Sequence, residues 1–227
     1  MEWAFGNRQV GIARFLLSQG ARLDYISPRG WTPVTFLFHP SNPVVPTEFF
    51  DLLSTSGFTD FDVQDRYGST PLHRAAMWGT TQDVHTLLQL GASPYLTDSD
   101  AGRTPAFEAA SSNNHANLQR LAKSMSVDFV HHADFTGRTI LHAAVDSGGL
   151  ETMRLVLELG ADPHKTIILE PQNGNEIKEL NAVEFAQTKG QDTYSCFLEA
   201  LELTGHNIRV VKDLDEEDVF WDWDSSS

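Results

Sequence analysis

One cysteine, Cys196, is the entire thiol content of the 227 residues. A chain with a single thiol builds no internal disulfide framework and suits a reducing compartment. Long apolar runs are missing too. Nothing approaches the ~18 consecutive apolar residues of a membrane-spanning helix, and the N-terminus lacks a basic-then-apolar signal pattern. Cations are scarce, with 16 Lys and Arg against 31 Asp and Glu and a formal net charge of −15. Binding a phosphate backbone needs clustered Lys and Arg, so neither a nucleic acid nor a membrane is an expected partner. The charge is uneven. Residues 212–227 hold seven acids and one Lys, −6 of the −15, yet the body keeps −9. The expected address is intracellular, cytoplasmic with a nuclear location open. Apolar residues make up 41% and aromatics 10%, enough for a real core in one large or two modest domains.

The segment "GSTPLHRAAMWG" from Gly68 reads as a short helix. Thr70 suits the N-cap, and Pro71 the first helical position, where a missing N–H costs nothing. Leu72, Ala75 and Ala76 share a narrow face that lets a second helix approach closely, and Gly79 is expected to stop the helix as a left-handed residue. The segment returns as "GRTPAFEAASSN" from Gly102 and "GRTILHAAVDSG" from Gly137, with a looser "GWTPVTFLFHPS" from Gly30; the starts lie 38, 34 and 35 residues apart. Each leads into a second apolar-periodic stretch, such as "VHTLLQLGA" or "MRLVLELGAD". Two helices and a loop fill each period.

These openings resemble the ankyrin repeat family, whose unit of about 33 residues pairs a Thr-Pro-Leu-His opening with two antiparallel helices and a projecting β-turn. Thr70-Pro71-Leu72-His73 matches in full, Thr139-Ile140-Leu141-His142 lacks only the proline, and Thr104-Pro105 keeps the first half. The resemblance implies an all-α solenoid of about five and a half repeats, with His73 and His142 as framework residues. Its segments are 1–29, a truncated first repeat; 30–67, a divergent repeat with a Pro-rich insertion; 68–101; 102–136; 137–178, with an extended finger; 179–207, a degenerate cap; and 208–227, an acidic-aromatic tail read as disordered. The chain is expected to start inside a helix, as a truncated product or a fragment of a longer array. Its ending resembles those of fungal ankyrin proteins. Pro40, Pro43 and Pro46 should end the first helix of the second repeat early, with Phe49, Phe50, Leu52 and Leu53 restoring an apolar face. Ile167 to Leu169 and Glu176 to Leu180, around Asn173-Gly174, fit a long hairpin finger.

Little here points to chemistry. His131-His132 read as two exposed loop histidines, because adjacent residues seldom converge on one ion and no tetrahedral ligand spacing recurs. Cys196 falls in the closing helix as a small apolar filler. The tail acids fail as a calcium loop, since Asp218 stands where Gly is required and Asp224 where Glu is. No activity, cofactor or metal is expected.

Binding is the expected function, through a concave face of finger tips and exposed first-helix positions. The candidate partner-binding residues are Arg66, Tyr67, Arg74, Met77, Trp78, Asp98, Asp100, Glu108 and Phe135, continuing through Ser111, Ser112, Asp146 and Ser147. Tyr67, Arg74, Met77 and Trp78 form an apolar-cationic spot; the competing reading packs Trp78 onto the neighbouring finger. The partner is a protein or peptide, and the chain a monomer. An alternative makes the repeats a carrier for the tail motif Phe220, Trp221 and Trp223, which either docks elsewhere or caps the last repeat. A fragment of a larger signalling or ubiquitin-pathway protein is a further alternative.

Overall fold

The computed structural model describes residues 1–41, 44–169 and 178–206. The tail motif of Phe220, Trp221 and Trp223 and the Asn173-Gly174 turn lie outside the described residues. Helices come in pairs: α1 (Glu2–Gly6) with α2 (Val10–Ser18), α3 (Pro33–Phe36) with α4 (Thr47–Thr55), α5 (Pro71–Trp78) with α6 (Thr81–Gln89), α7 (Pro105–Ser111) with α8 (His115–Ala122), α9 (Ile140–Ser147) with α10 (Leu150–Glu158), and α11 (Ala182–Thr188) with α12 (Gln191–Leu203). The first helices pack side by side from α1 to α11, and the second helices from α6 to α12, giving two layers. Strand β1 (Ile167–Leu169) pairs antiparallel with β2 (Lys178–Leu180), Ile167 opposite Leu180.

The helix starts follow from local chemistry. Thr32, Thr70 and Thr104 each cap with a hydroxyl that accepts the backbone N–H three residues on, from Thr35, His73 and Phe107, and a proline opens each of these helices. In the capping boxes of α5 and α9 a histidine stands where Glu or Gln is usual. His73 Nδ1 accepts the Thr70 N–H at 3.1 Å, so the ring proton sits on Nε2, which donates to Arg103 O in the next repeat at 2.9 Å. One neutral imidazole thus caps its own helix and fastens the following repeat. His142 repeats the first half, accepting the Thr139 N–H, but its buried Nε2 has no hydrogen-bond partner among the described residues. The next pair of helices begins only after the β1–β2 excursion.

Leu72, Ala75 and Ala76 on α5, Ala106, Ala109 and Ala110 on α7, and Leu141 and Ala144 on α9 are completely buried between the layers. The alanines let neighbouring first helices approach closely, while Phe5, Phe38, Phe49, Phe107, Phe185 and Phe197 fill the wider spaces of the core. Each such large side chain contributes about 1.5–3 kcal/mol of burial. Helix α3 stops at Phe36, ahead of Pro40, and α4 buries Phe49, Phe50, Leu52 and Leu53.

Gly79 departs from expectation. It is extended, at φ −82° and ψ 175°, not left-handed. A left-handed residue does follow α7 and α9, at Asn113 (φ 54°) and Gly148 (φ 73°). The carbonyls that end α5 find a further donor: Asn117 on α8, completely buried, donates its side-chain amide to Gly79 O at 2.9 Å, Ala75 O at 3.1 Å and Ala76 O at 3.2 Å. Glycine is needed at 79 for space, because a Cβ would lie 2.8 Å from Ala75 O.

Candidate functional site

Between α4 and α5, α6 and α7, and α8 and α9 the repeats are joined by a tight turn that projects as a finger. An aspartate builds it from within: Asp65 accepts the N–H groups of Tyr67 and Ser69, Asp98 those of Ala101 and Gly102, and Asp134 those of Thr136 and Arg138. The fingers then stack through their backbones, Arg66 N–H on Gly30 O, Ser99 N–H on Tyr67 O and Phe135 N–H on Ala101 O, at 2.8–3.0 Å. A row of finger tips therefore lies beside the row of first helices.

Arg74 holds the centre of this surface. Its guanidinium forks onto Asp65 Oδ2 through Nη2 at 2.7 Å and Nε at 3.2 Å, and the pair is almost wholly buried. Three rings surround the same guanidinium, Trp31 at 4.3 Å, Trp78 at 5.5 Å and Tyr67 at 5.9 Å. The aromatic surface runs on from Trp31 to Phe36 at 5.7 Å and His39 at 6.3 Å. Cation–π contacts of this kind are worth about 0.5–2 kcal/mol each, more as water is excluded.

Towards the C-terminus the surface becomes an ion-pair ladder. Arg103 stands over the Phe107 ring at 5.1 Å, between Glu108 and Asp134. Arg138 bonds Asp146 at 2.8 Å, Lys189 reaches the same carboxylate, and both cations lie over Phe185. Burial acts to raise the Asp146 carboxyl, but hydrogen bonds from Lys189 and Arg138 outweigh it and hold it below its ordinary range. Glu108 goes the other way: burial raises its carboxyl, and nearby Arg103 offsets this only in part.

The candidate residues thus divide. Tyr67, Arg74 and Trp78 are brought together, with Met77 half-buried on the same helix. Tyr67 is 40% exposed and Phe135 72%, the latter with its ring against Gly102. Asp100 is exposed. Arg66 is exposed but turns away, donating to Pro28 O at 3.2 Å. Three expectations need correction. Arg74 is no free cation, because Asp65 and three rings already occupy it. Asp98 is 6% exposed, its carboxylate taken by the turn it builds, and Glu108, expected on the outward row, is 7% exposed beside the Arg103 guanidinium. The repeat pattern does not single out Trp31, Phe36 and His39, although Trp31 holds the position that Ser69, Arg103 and Arg138 hold after their repeat glycines.

The residues weighed for chemistry lie apart from this surface's centre of Arg74 and its rings. His131 ends a 3₁₀ helix, Val127–His131, and is exposed, whereas His132 is half-buried and bonds Gly102 O at 2.7 Å. His132 is therefore not the exposed loop residue expected. Cys196 is half-buried, burial pushes its thiol up, and its Sγ lies 3.7 Å from Gly148 O.

Paired helices in two layers, joined by stacked fingers, with a Thr-capped opening that returns every 34 or 35 residues, define an ankyrin-repeat solenoid. The chain carries ankyrin repeats: one family description, ankyrin repeats in three copies, matches residues 90–167, and another, ankyrin repeat, matches residues 67–99. Among known proteins it is similar to the B-cell lymphoma 3 protein homolog of Mus musculus, 29% identical over 151 residues, 66% of this chain and 33% of that protein. It is also similar to alpha-latrotoxin-Lg1a of Latrodectus geometricus, 31% identical over 61% of this chain and 10% of that protein. The probable E3 ubiquitin-protein ligase XBOS34 of Oryza sativa subsp. japonica is 33% identical over 51% of this chain and 21% of its own length. The chain matches a third or less of each of these relatives. Among the described residues no helix is long and apolar enough to cross a membrane.

Proposed function

We propose that the chain is a non-enzymatic scaffold that holds a partner protein or peptide against its row of fingers and first helices, the concave face of the ankyrin arrangement. Ankyrin repeats mediate protein–protein interaction, and the part shared with the relatives is this repeat stack. The observation that carries the reading is the cluster of Trp31, Tyr67 and Trp78 around an internally neutralised Arg74. Arg74 fixes the rings from behind, so they meet a ligand at little cost in side-chain entropy, the condition under which a few aromatic groups supply most of a binding energy. Met77, Asp100 and Phe135 extend the surface around that centre.

A photo-crosslinking residue placed at Met77 and the substitution Met77→Glu test this on the full chain. Proteins crosslinked at 77 should fail to copurify with the Met77→Glu chain while its melting temperature stays within a degree or two of wild type. Retention of the same partners by Met77→Glu and by Tyr67→Ala overturns the reading. Partners that vanish when residues 208–227 are deleted, and are indifferent to both substitutions, assign binding to the tail.

A further inference from the structure

Beside the aromatic centre the surface has unspent negative charge. Asp65, Asp98, Glu108 and Asp134 set four carboxylates near two guanidinium groups, Arg74 and Arg103. Asp65 is satisfied by Arg74. Arg103 serves two carboxylates and satisfies neither, at 3.7 Å from Glu108 Oε1 and 3.6 Å from Asp134 Oδ2, beyond hydrogen-bond distance. Glu108 Oε2, Asp134 Oδ2 and Arg103 Nε are all buried without a hydrogen-bond partner among the described residues. Glu108 is more than nine-tenths buried, and a buried carboxylate oxygen is left unpaired only at considerable cost. Arg138, on the far side of Asp134, is committed to Asp146.

We infer that the acidic cluster of Glu108 and Asp134 around Arg103 receives a basic side chain, Lys or Arg, from the partner at its Glu108 edge. The inference rests on the proposed use of this face. An incoming ammonium or guanidinium meets the accessible edge of the Glu108 side chain, 9% of it, and brings the local charge nearer balance, the arrangement that sets partner choice more than raw affinity. The fold also fixes the spacing. Trp78 ends α5 and Glu108 lies on the adjacent α7. Packed helices stand about 8–10 Å apart and an extended peptide advances about 3.3 Å per residue, so the basic residue falls about three positions from the apolar residue that covers Trp31 and Trp78.

The probe is a displayed library of random dodecapeptides, panned on the full wild-type chain, with winners synthesised and titrated against wild type, Met77→Glu and Glu108→Gln. Peptides sensitive to Met77→Glu should carry Lys or Arg about three positions from an aromatic or aliphatic residue, and should bind Glu108→Gln about tenfold more weakly or worse. Replacing that Lys by norleucine should weaken binding to wild type similarly and add little against Glu108→Gln. The norleucine comparison on wild type stands even where Glu108→Gln does not fold. Winners that need Met77 but lack a basic residue, or that bind Glu108→Gln as tightly as wild type, overturn the basic contact and leave the face reading intact. Should no winner be sensitive to Met77→Glu, the face reading falls and takes the basic contact with it.

Discussion

Replacing Asn117 by Ala should destabilise the stack well beyond what one polar side chain on a helix would suggest. The side-chain amide has two hydrogens and meets three carbonyls at the C-terminal end of the preceding repeat's first helix. Ala75 O keeps a second donor, the Gly79 N–H at 2.8 Å, so the loss falls on Ala76 O and Gly79 O. Two buried hydrogen bonds at about 1 kcal/mol each, plus the desolvation left on the abandoned carbonyls, give ~2–4 kcal/mol. For a chain of this size that lowers the melting temperature by roughly 4–16 °C. Asn117→Asp sharpens the argument, because it preserves shape but points a negatively charged acceptor at three acceptors. At neutral pH it should be worse than Ala, and it should recover in acid as the carboxyl gains a proton to donate. Urea titrations followed by circular dichroism at pH 7 and pH 4 measure both, and amide exchange after α5 localises the opening. An Asn117→Ala chain within about 0.5 kcal/mol of wild type, the range of an ordinary surface substitution, would refute the reasoning. So would an Asp variant equal to Ala at pH 7.

Arg74→Met should cost about 3–5 kcal/mol, because it strands the buried Asp65 carboxylate; denaturation of Asp65→Asn/Arg74→Met should show less loss than the two single changes added together. Gly79→Ala should destabilise by about 1–3 kcal/mol through overpacking against Ala75, whereas Gly148→Asn, left-handed with open space, should fall within about 0.5 kcal/mol of wild type as judged by thermal melting. Burial lowers His142 to about 4, so between that value and its ordinary pKa near 6.5 the folded chain binds fewer protons than the unfolded one. Its contribution is intact above pH 6.5 and is lost as pH falls towards 4, by up to about 3 kcal/mol. His73 shifts in the same direction, while Glu108 and Asp83, raised by burial, favour the folded state as pH falls. His142→Gln, whose side chain still suits a capping box, should therefore flatten the acid side of the stability profile; an unchanged slope between pH 6.5 and 4 would count against the assignment.

What could be read from the sequence divides by the range of the interaction. Thr70, Pro71 and His73 act within one helical turn, so their spacing alone announces the capped helix, and its return at Thr104 and Thr139 announces the stack. Gly79 ends its helix as the local sequence predicts, but from a different cause, because the residue that relieves it as a helix end is Asn117, 38 residues on. Arg74 looked like a free cation because a helical wheel turns it outward. The carboxylate that claims it belongs to the preceding turn, where Asp65 is held by two backbone N–H groups. Asp98 and Glu108 fail for different reasons: the Asp98 carboxylate is taken up by the turn it builds, whereas Glu108 is buried beside the Arg103 guanidinium.

Trp31 shows the limit from the opposite side. Repetition directs attention to what recurs, and Trp31 matters because it does not: its equivalents are Ser69, Arg103 and Arg138. Exchanging Arg for Trp at one end of that row makes the face directional, with an aromatic end at Trp31, Phe36 and Trp78 and an ion-paired end at Arg138, Asp146 and Lys189. An aromatic end attracts apolar groups in either chain direction, while a ladder already paired internally gains little from a further charge. The under-satisfied carboxylates of Glu108 and Asp134 lie between them and favour one sign of charge only. Together, one apolar contact and one basic contact about three residues apart fix both the register and the direction of a bound segment, which neither end of the face achieves alone.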